Sequence, residues 1–217
     1  MIVKVNAKWW AAIACLLLTA QIGYAGTIAG SSHDFTTAAA SWGGGQVCIA
    51  CHTPHNSVSP GSAPLWNHTV TTQSYTLYAS STLQATMVQP TVGDKLCLSC
   101  HDGTVALDSF GGKTGTTFVS AVNNLGTNLN VHHPSSFLYD AALATADGAL
   151  FDPSAKVVTV GTGTQSKTGT VSSVMLSGGL VQCSSCHDVH NTYNATASKL
   201  LKITMARSGL CFACHSY

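Results

Sequence analysis

A five-residue motif, Cys-x-x-Cys-His, occurs four times in this sequence of 217 residues and accounts for eight of its nine cysteines. Two thiols separated by two residues can bond the two vinyl groups on one edge of a porphyrin, and the histidine that follows reaches the iron as proximal ligand. The motifs therefore predict four covalently attached haem c groups. The attachment cysteines are Cys48, Cys51, Cys97, Cys100, Cys183, Cys186, Cys211 and Cys214, and the proximal histidines are His52, His101, His187 and His215.

Paired cysteines also occur in zinc knuckles, redox dithiols and disulfide frameworks. A zinc site needs paired thiols but has no reason to place a histidine directly after every pair, and a redox dithiol normally occurs once. Here the histidine follows all four pairs. The pattern therefore favours haem over the other metal and disulfide interpretations.

Residues 1–25 are typical of a secretory signal peptide: Lys4 and Lys8 are followed by a mostly apolar run and by small residues at 23 and 25. The apolar run is short for a membrane span, and no comparable run follows it. Cys15, the ninth cysteine, lies in this segment. We expect an exported chain that begins near Gly26 and works outside the cell or at its surface, with the periplasm as the alternative.

Charged residues make up 8% of the chain, against about a quarter of an average soluble protein. There is no glutamate and no basic patch, so nucleic acid is not an expected partner. Two interpretations of this low charge remain open. The surface is either neutral and rich in hydroxyl groups, or largely covered by neighbouring subunits.

A mature chain of 192 residues with four haems leaves 48 residues for each haem. So short a segment cannot build its own core, so the porphyrins are expected to form the interior. The fold class predicted is a multihaem cytochrome c: mostly coil, with few short helices and a small β-hairpin region. Short strands are predicted at residues 156–160 and 168–176, which are rich in β-branched residues.

The sequence repeats itself. Residues 48–56 and 183–191 both read C-x-x-C-H-x-x-H-N, and each block is followed by a second, plainer motif. This organisation predicts a single tetrahaem domain at 26–217, made of two dihaem halves at about 26–110 and 130–217.

Six histidines lie outside the motifs, and four irons need a sixth ligand. A lone histidine is usually solvated or part of a core, but four irons in a small chain reverse that expectation. His55 and His190 each lie three residues beyond a proximal histidine, too close to wrap round to the opposite face of the same haem. Each should therefore ligate a different haem, which brings porphyrins close together. The six are His33, His55, His68, His132, His133 and His190.

The sequence resembles the doubled-CxxCH multihaem cytochromes, and among them the outer-surface tetrahaem cytochromes of the OmcE type, which polymerise into extracellular nanowires. The resemblance covers most of residues 27–217. It is carried by segments 32–35 (SHDF), 47–56 (VCIACHTPHN), 63–67 (APLWN), 132–134 (HHP) and 181–191 (VQCSSCHDVHN).

The resemblance implies that the distal ligands are His33, His55, His133 and His190, with His68 and His132 as spares. The adjacent His132 and His133 cannot be separated by sequence. In the nanowire relatives a histidine of one subunit can ligate a haem in the next, and His33, near the expected mature N-terminus, has the freedom to do so.

These features predict a protein without catalytic residues that passes electrons between close bis-histidine haems. The expected form is the subunit of an extracellular filament, a homopolymer that exchanges electrons with other redox proteins or extracellular acceptors. The alternative is a monomeric periplasmic tetrahaem shuttle. A third interpretation, a multihaem reductase, requires one iron with an open position, and the surplus of histidines disfavours it.

Overall fold

The computed structural model of the protein describes residues 28–36, 44–58, 63–193 and 199–216. This part of the chain is mostly coil, with a few short helices and two small sheets. The expected signal peptide at residues 1–25 lies outside the described residues. The helices are α1 (Val92–His101), α2 (Ala141–Asp147), α3 (Val171–Val174) and α4 (Cys183–Cys186), and the strands are β1 (Phe137–Leu138), β2 (Val157–Val160), β3 (Lys167–Thr170) and β4 (Leu180–Val181).

The larger sheet is an antiparallel hairpin of β2 and β3, with Val160 opposite Lys167 at its closed end. The first predicted strand lies at its expected position, within one residue. The second ends at Thr170, because the next four residues form α3 instead of continuing the strand. That helical turn directs Val171 and Val174 into the interior, so packing outweighs the strand preference of β-branched residues.

The main apolar cluster lies in the second half of the chain. It is built on the two sheets together with α2 and α3, and it reaches the fourth motif at Ala213. The interior around this motif is thus partly made by ordinary side chains. The buried members are Phe137, Tyr139, Ala144, Val160, Val171, Val174, Met175, Val181 and Ala213.

The hairpin also packs against the segments that follow the third motif. Gly161 adopts φ +74° directly after β2, and its N–H donates to the carbonyl of Lys202 at 2.7 Å. A Cβ atom at this position would lie 1.9 Å from the carbonyl oxygen of Tyr193. Only glycine fits here, because the two backbones approach too closely for any side chain.

A buried carboxylate joins the helices of the second and third motifs. Asp94, in the first turn of α1, has no solvent exposure. It accepts a hydrogen bond from the backbone N–H of Cys183 at 2.7 Å and another from the hydroxyl of Ser136. Beside it, the amide of Gln182 donates to the hydroxyl of Thr91 at 2.5 Å. These contacts hold the two halves of the chain together at their haem motifs.

Within the described ranges, no helix is long and apolar enough to cross a membrane.

Candidate haem sites

The first and third motifs fold in the same way. His52 forms an isolated antiparallel bridge with Trp66, and His187 forms the same bridge with Leu201. The two sets of contacts are 135 residues apart, which is also the spacing between the two motifs. The repeat seen in the sequence is therefore also a repeat of structure.

Each of these bridges depends on a leucine in the left-handed backbone region. Leu65 has φ 58° and Leu200 has φ 54°, a conformation that is uncommon for a leucine. The carbonyl of Leu65 accepts from the N–H of Thr53, and that of Leu200 from the N–H of Asp188, the residue after each proximal histidine. The strained leucines thus turn the returning segment so that it runs beside the proximal histidine.

Three proximal histidines are held by the same kind of contact. In each, the ring nitrogen Nδ1 lies within hydrogen-bond distance of a backbone carbonyl oxygen. Because a carbonyl oxygen only accepts, Nδ1 carries the proton and Nε2 keeps a lone pair. This is the tautomer that binds iron through Nε2. The pairs are His52 with Pro64 (3.0 Å), His101 with Asn123 (2.8 Å) and His187 with Lys199 (2.8 Å).

The fourth motif lies against the turn after α2. His215 forms a bridge with Leu150, and the carbonyl of Cys214 accepts from the N–H of Phe151 at 2.8 Å. Burial lowers the pKa of His215, and the nearby His133 lowers it further.

The ring of His68 is buried against the backbone. Its side chain is 2% exposed, Nδ1 lies 2.8 Å from the carbonyl oxygen of Thr69, and Nε2 lies 2.9 Å from that of Ala106. Both ring nitrogens are thus engaged with the backbone. Nε2 also lies 3.6 Å from Sγ of the attachment residue Cys100, and the role of His68 as a spare stays a prediction.

Hydrogen bonding distinguishes the two adjacent histidines that the sequence leaves open. Nε2 of His132 lies 3.3 Å from the carbonyl oxygen of Leu125. In His133 it is Nδ1 that contacts a carbonyl, that of Pro134 at 2.9 Å, as in the proximal histidines. His133 thus shares the Nδ1 contact of the three proximal histidines, whereas His132 contacts a carbonyl through Nε2.

Two further histidines each face a proximal histidine. The ring centroid of His33 lies 6.0 Å from that of His101, and the centroid of His190 lies 6.0 Å from that of His52. The buried Nδ1 of His33 has no hydrogen-bond partner among the described residues. Burial, with smaller effects of His101 and His187, lowers the pKa of His33 to about 4. The imidazole of His33 is therefore neutral at physiological pH, as a metal ligand must be.

His55 lies exposed on the loop after the first motif. Its backbone carbonyl accepts a hydrogen bond from the hydroxyl of Thr53 at 2.9 Å.

The cysteines of successive motifs lie beside one another. Burial raises the pKa of Cys51 to about 11, and the next contribution comes from Cys97 of the second motif. A hydrogen bond with Cys183 of the third motif lowers the pKa of Cys97. Burial raises the pKa of Cys186, and Cys211 of the fourth motif adds to that effect. The attachment sites therefore follow one another in space in their order along the chain.

The residues present fit covalent haem. All eight motif cysteines are free thiols, and the proximal histidines described above present Nε2. Across the described part of the chain, no group of three or more Cys, His, Asp or Glu side chains could hold a bare metal ion. The porphyrin supplies four of the ligands of a haem iron, so that a pair of histidines completes the set.

Residues 176–217 match the family model described as the doubled CXXCH motif. The match covers the third and fourth motifs. No curated protein matches the chain. Since the doubled CXXCH motif is a site of covalent haem c attachment, the C-terminal part of this chain binds haem c, consistent with a multihaem c-type cytochrome.

Proposed function

We propose that this chain is an electron-transfer protein that carries four bis-histidine haem c groups. The observation that carries the proposal is the pairing of imidazole rings at 6.0 Å, His33 with His101 and His52 with His190. A metal ion held about 2 Å from a nitrogen of each of two imidazoles separates the ring centroids by about 6 Å. Each pair joins a proximal histidine to one outside the motifs.

Each cysteine pair would fix one edge of a porphyrin. Backbone carbonyls orient three of the four proximal rings, those of His52, His101 and His187, through Nδ1. His33, His55, His133 and His190 supply the distal nitrogens. When bound, the haem iron changes oxidation state by one electron. Two histidines held in place at each iron would limit how far the site rearranges in that step, which would favour electron transfer over the binding of a small molecule.

The order of the attachment cysteines supports a continuous path for electrons. Cys51 neighbours Cys97, Cys97 contacts Cys183, and Cys186 lies near Cys211. The four haems would then form a row in the order of the motifs. The porphyrins would also form the interior of the first half, whose described residues are mostly coil.

Haem content and spin state test this function. A pyridine haemochrome assay of the purified protein is expected to give four haems per chain, and electron paramagnetic resonance is expected to show only low-spin ferric iron. One full equivalent of high-spin iron, or rapid binding of carbon monoxide by the reduced protein, would indicate an open iron and support the reductase instead.

We further propose that the protein is exported and forms the subunit of an extracellular filament. The low charge content supports this, and so do three exposed apolar side chains in segment 118–131. There Val122 is 88% exposed, Val131 75% and Phe118 54%. The same segment supplies the carbonyl that holds His101, so a neighbour packed here would lie beside the second haem. Negative-stain imaging of protein recovered outside the cell should show filaments, whereas a protein that stays monomeric at high concentration would be the periplasmic shuttle.

A further inference from the structure

We propose that the indole N–H of Trp66 donates a hydrogen bond to a propionate of the haem attached at Cys48 and Cys51. Trp66 would then be a positioning residue that holds this haem by the edge opposite its thioether bonds. This inference rests on the proposed haem function and adds a residue to the first of its sites.

Trp66 lies directly beside the proximal histidine of the first motif. Its backbone forms the antiparallel bridge with His52, and its indole stands edge-on to the imidazole. The ring centroids are 5.7 Å apart and the ring planes 87° apart. Propionate carboxylates extend beyond the porphyrin rim and can turn towards either face. An indole at this lateral distance from the imidazole is therefore placed to meet one.

The backbone on both sides of the indole is fixed by the chain itself. The carbonyl of Trp66 accepts from the N–H of Val58 at 2.7 Å. The next residue, Asn67, donates through its backbone N–H to the carbonyl of Cys51 at 2.8 Å and through its side-chain amide to that of Ile49 at 2.9 Å. These contacts hold Trp66 against the attachment motif without any contribution from the haem.

The indole nitrogen of Trp66 is buried, and it has no hydrogen-bond acceptor among the described residues. Such buried N–H groups are rare in folded proteins and call for an acceptor. In the same part of the chain, one other buried side-chain nitrogen lacks a partner, Nδ1 of His33, whose ring faces the proximal His101. Both nitrogens thus lie beside proximal histidines, which indicates that their acceptors belong to the haems.

The chemistry of haem c selects the acceptor. Its pyrrole nitrogens bind the iron and its vinyl groups are bonded to cysteine, so the two propionates carry its only free acceptor oxygens. An indole N–H donates and never accepts, so it is complementary to a carboxylate. A hydrogen bond to an ionised acceptor is also stronger than one between neutral groups.

The second half of the chain does not repeat this donor. The residue equivalent to Trp66 is Leu201, which forms the same bridge with His187 but has no polar side-chain atom. The first and third sites are otherwise built alike. Trp66 would therefore make the two haems differ, and its N–H would raise the reduction potential of the first haem by offsetting the negative charge of a propionate near the iron.

Trp66→Phe in the full-length holoprotein tests the hydrogen bond, because phenylalanine keeps an aromatic ring beside His52 but has no N–H. In ultraviolet resonance Raman spectra, the difference between wild type and variant isolates the indole of Trp66, which is expected to be hydrogen-bonded. A potentiometric titration at about pH 8, where carboxyl groups are ionised, should show one of the four potentials lowered and three unchanged. The pH dependence of that one potential should also move to higher pH, because the lost donor favoured the ionised propionate.

Trp66→Leu is the matched variant, since leucine stands at the equivalent position 201. It also lacks the N–H but differs from phenylalanine in shape, so both variants should lower the same potential if the hydrogen bond is the cause. It carries the test alone if Trp66→Phe does not accumulate. Haem content and low-spin iron should match wild type in both.

Four potentials equal to those of wild type would overturn the proposal, because a bonded indole would then have its acceptor on the polypeptide. An indole signal typical of a free N–H would overturn it too, as would shifts of opposite sign in the two variants. A wild-type chain without four low-spin haems would instead refute the proposed function.

Discussion

Replacing Asp94 tests whether one buried carboxylate holds the halves together. Its side chain is fully buried and accepts from the N–H of Cys183 and the hydroxyl of Ser136, which is itself 1% exposed. In Asp94→Ala both donors lose their acceptor where water has little access. The variant should therefore lose stability even though no cysteine or histidine of the haem sites is replaced.

The size of the loss follows from these two bonds. A hydrogen bond to an ionised group contributes about 1.5–3 kcal/mol, and an unsatisfied buried donor costs a similar amount. Bonds that share one acceptor do not add fully, so we expect Asp94→Ala to lower the free energy of unfolding by about 3–5 kcal/mol. Asp94→Asn keeps one oxygen for the N–H of Cys183 and should lose about 1–2 kcal/mol. The free energy of unfolding of a whole domain is only about 5–15 kcal/mol, so such a loss is large.

Guanidinium unfolding of the holoprotein, followed by far-UV circular dichroism, measures both variants. Asp152→Ala is the matched control, because the hydrogen bonds recorded for the Asp152 side chain are local, with Ser154 and with the backbone N–H of Ala155. We expect a much smaller shift of its midpoint. If Asp94→Ala unfolds at the same denaturant concentration as wild type and with the same slope, the carboxylate does not hold the halves together.

Three further comparisons test the assignment of histidines and the packing of the hairpin. His133→Ala should convert one iron to high spin, whereas His132→Ala should leave all four low-spin in the same resonance measurement. His68→Ala should leave every iron low-spin but lower the free energy of unfolding by about 2–4 kcal/mol, because a buried ring is removed and one backbone carbonyl loses its N–H donor. Gly161→Ala places a Cβ 1.9 Å from a carbonyl oxygen, whereas Gly148→Ala, also at φ +74°, meets nothing within 4 Å. In denaturant unfolding, Gly161→Ala should lower the free energy of unfolding by more than about 2 kcal/mol, and Gly148→Ala should lower it by about 1 kcal/mol.

The sequence alone was enough to predict the chemistry of the motifs, because haem attachment depends on residue types at fixed spacing. The repeat was also predictable from the blocks at 48–56 and 183–191. The repeat extends beyond those blocks, because Leu65 and Leu200 stand at equivalent positions, 135 residues apart. These two leucines could have indicated the segments that run back beside His52 and His187. The acceptors of the Nδ1 protons were not predictable, because any residue supplies a carbonyl and only the path of the backbone decides which one.

Two further features could not be predicted from the sequence for the same reason, because the path of the backbone decides them. His132 and His133 are chemically alike, and only the positions of the carbonyls of Leu125 and Pro134 separate them. Similarly, the β-branched residues after Thr170 favour a strand locally, but burial of Val171 in the second-half cluster is achieved by a helical turn. Both outcomes depend on contacts that are distant in sequence.

The position of His33 changes what a filament of this protein would require. If His33 ligated a haem of the next subunit, dissociation would leave one iron per chain without its sixth ligand. Because His33 lies beside His101 of its own chain, we expect assembly and ligation to be separable. Diluting or dispersing filaments should then give single chains that keep four low-spin irons, and His33→Ala should change the spin state without preventing filaments. A high-spin signal that grows in proportion to the dispersed fraction would show that the ligand comes from the neighbour.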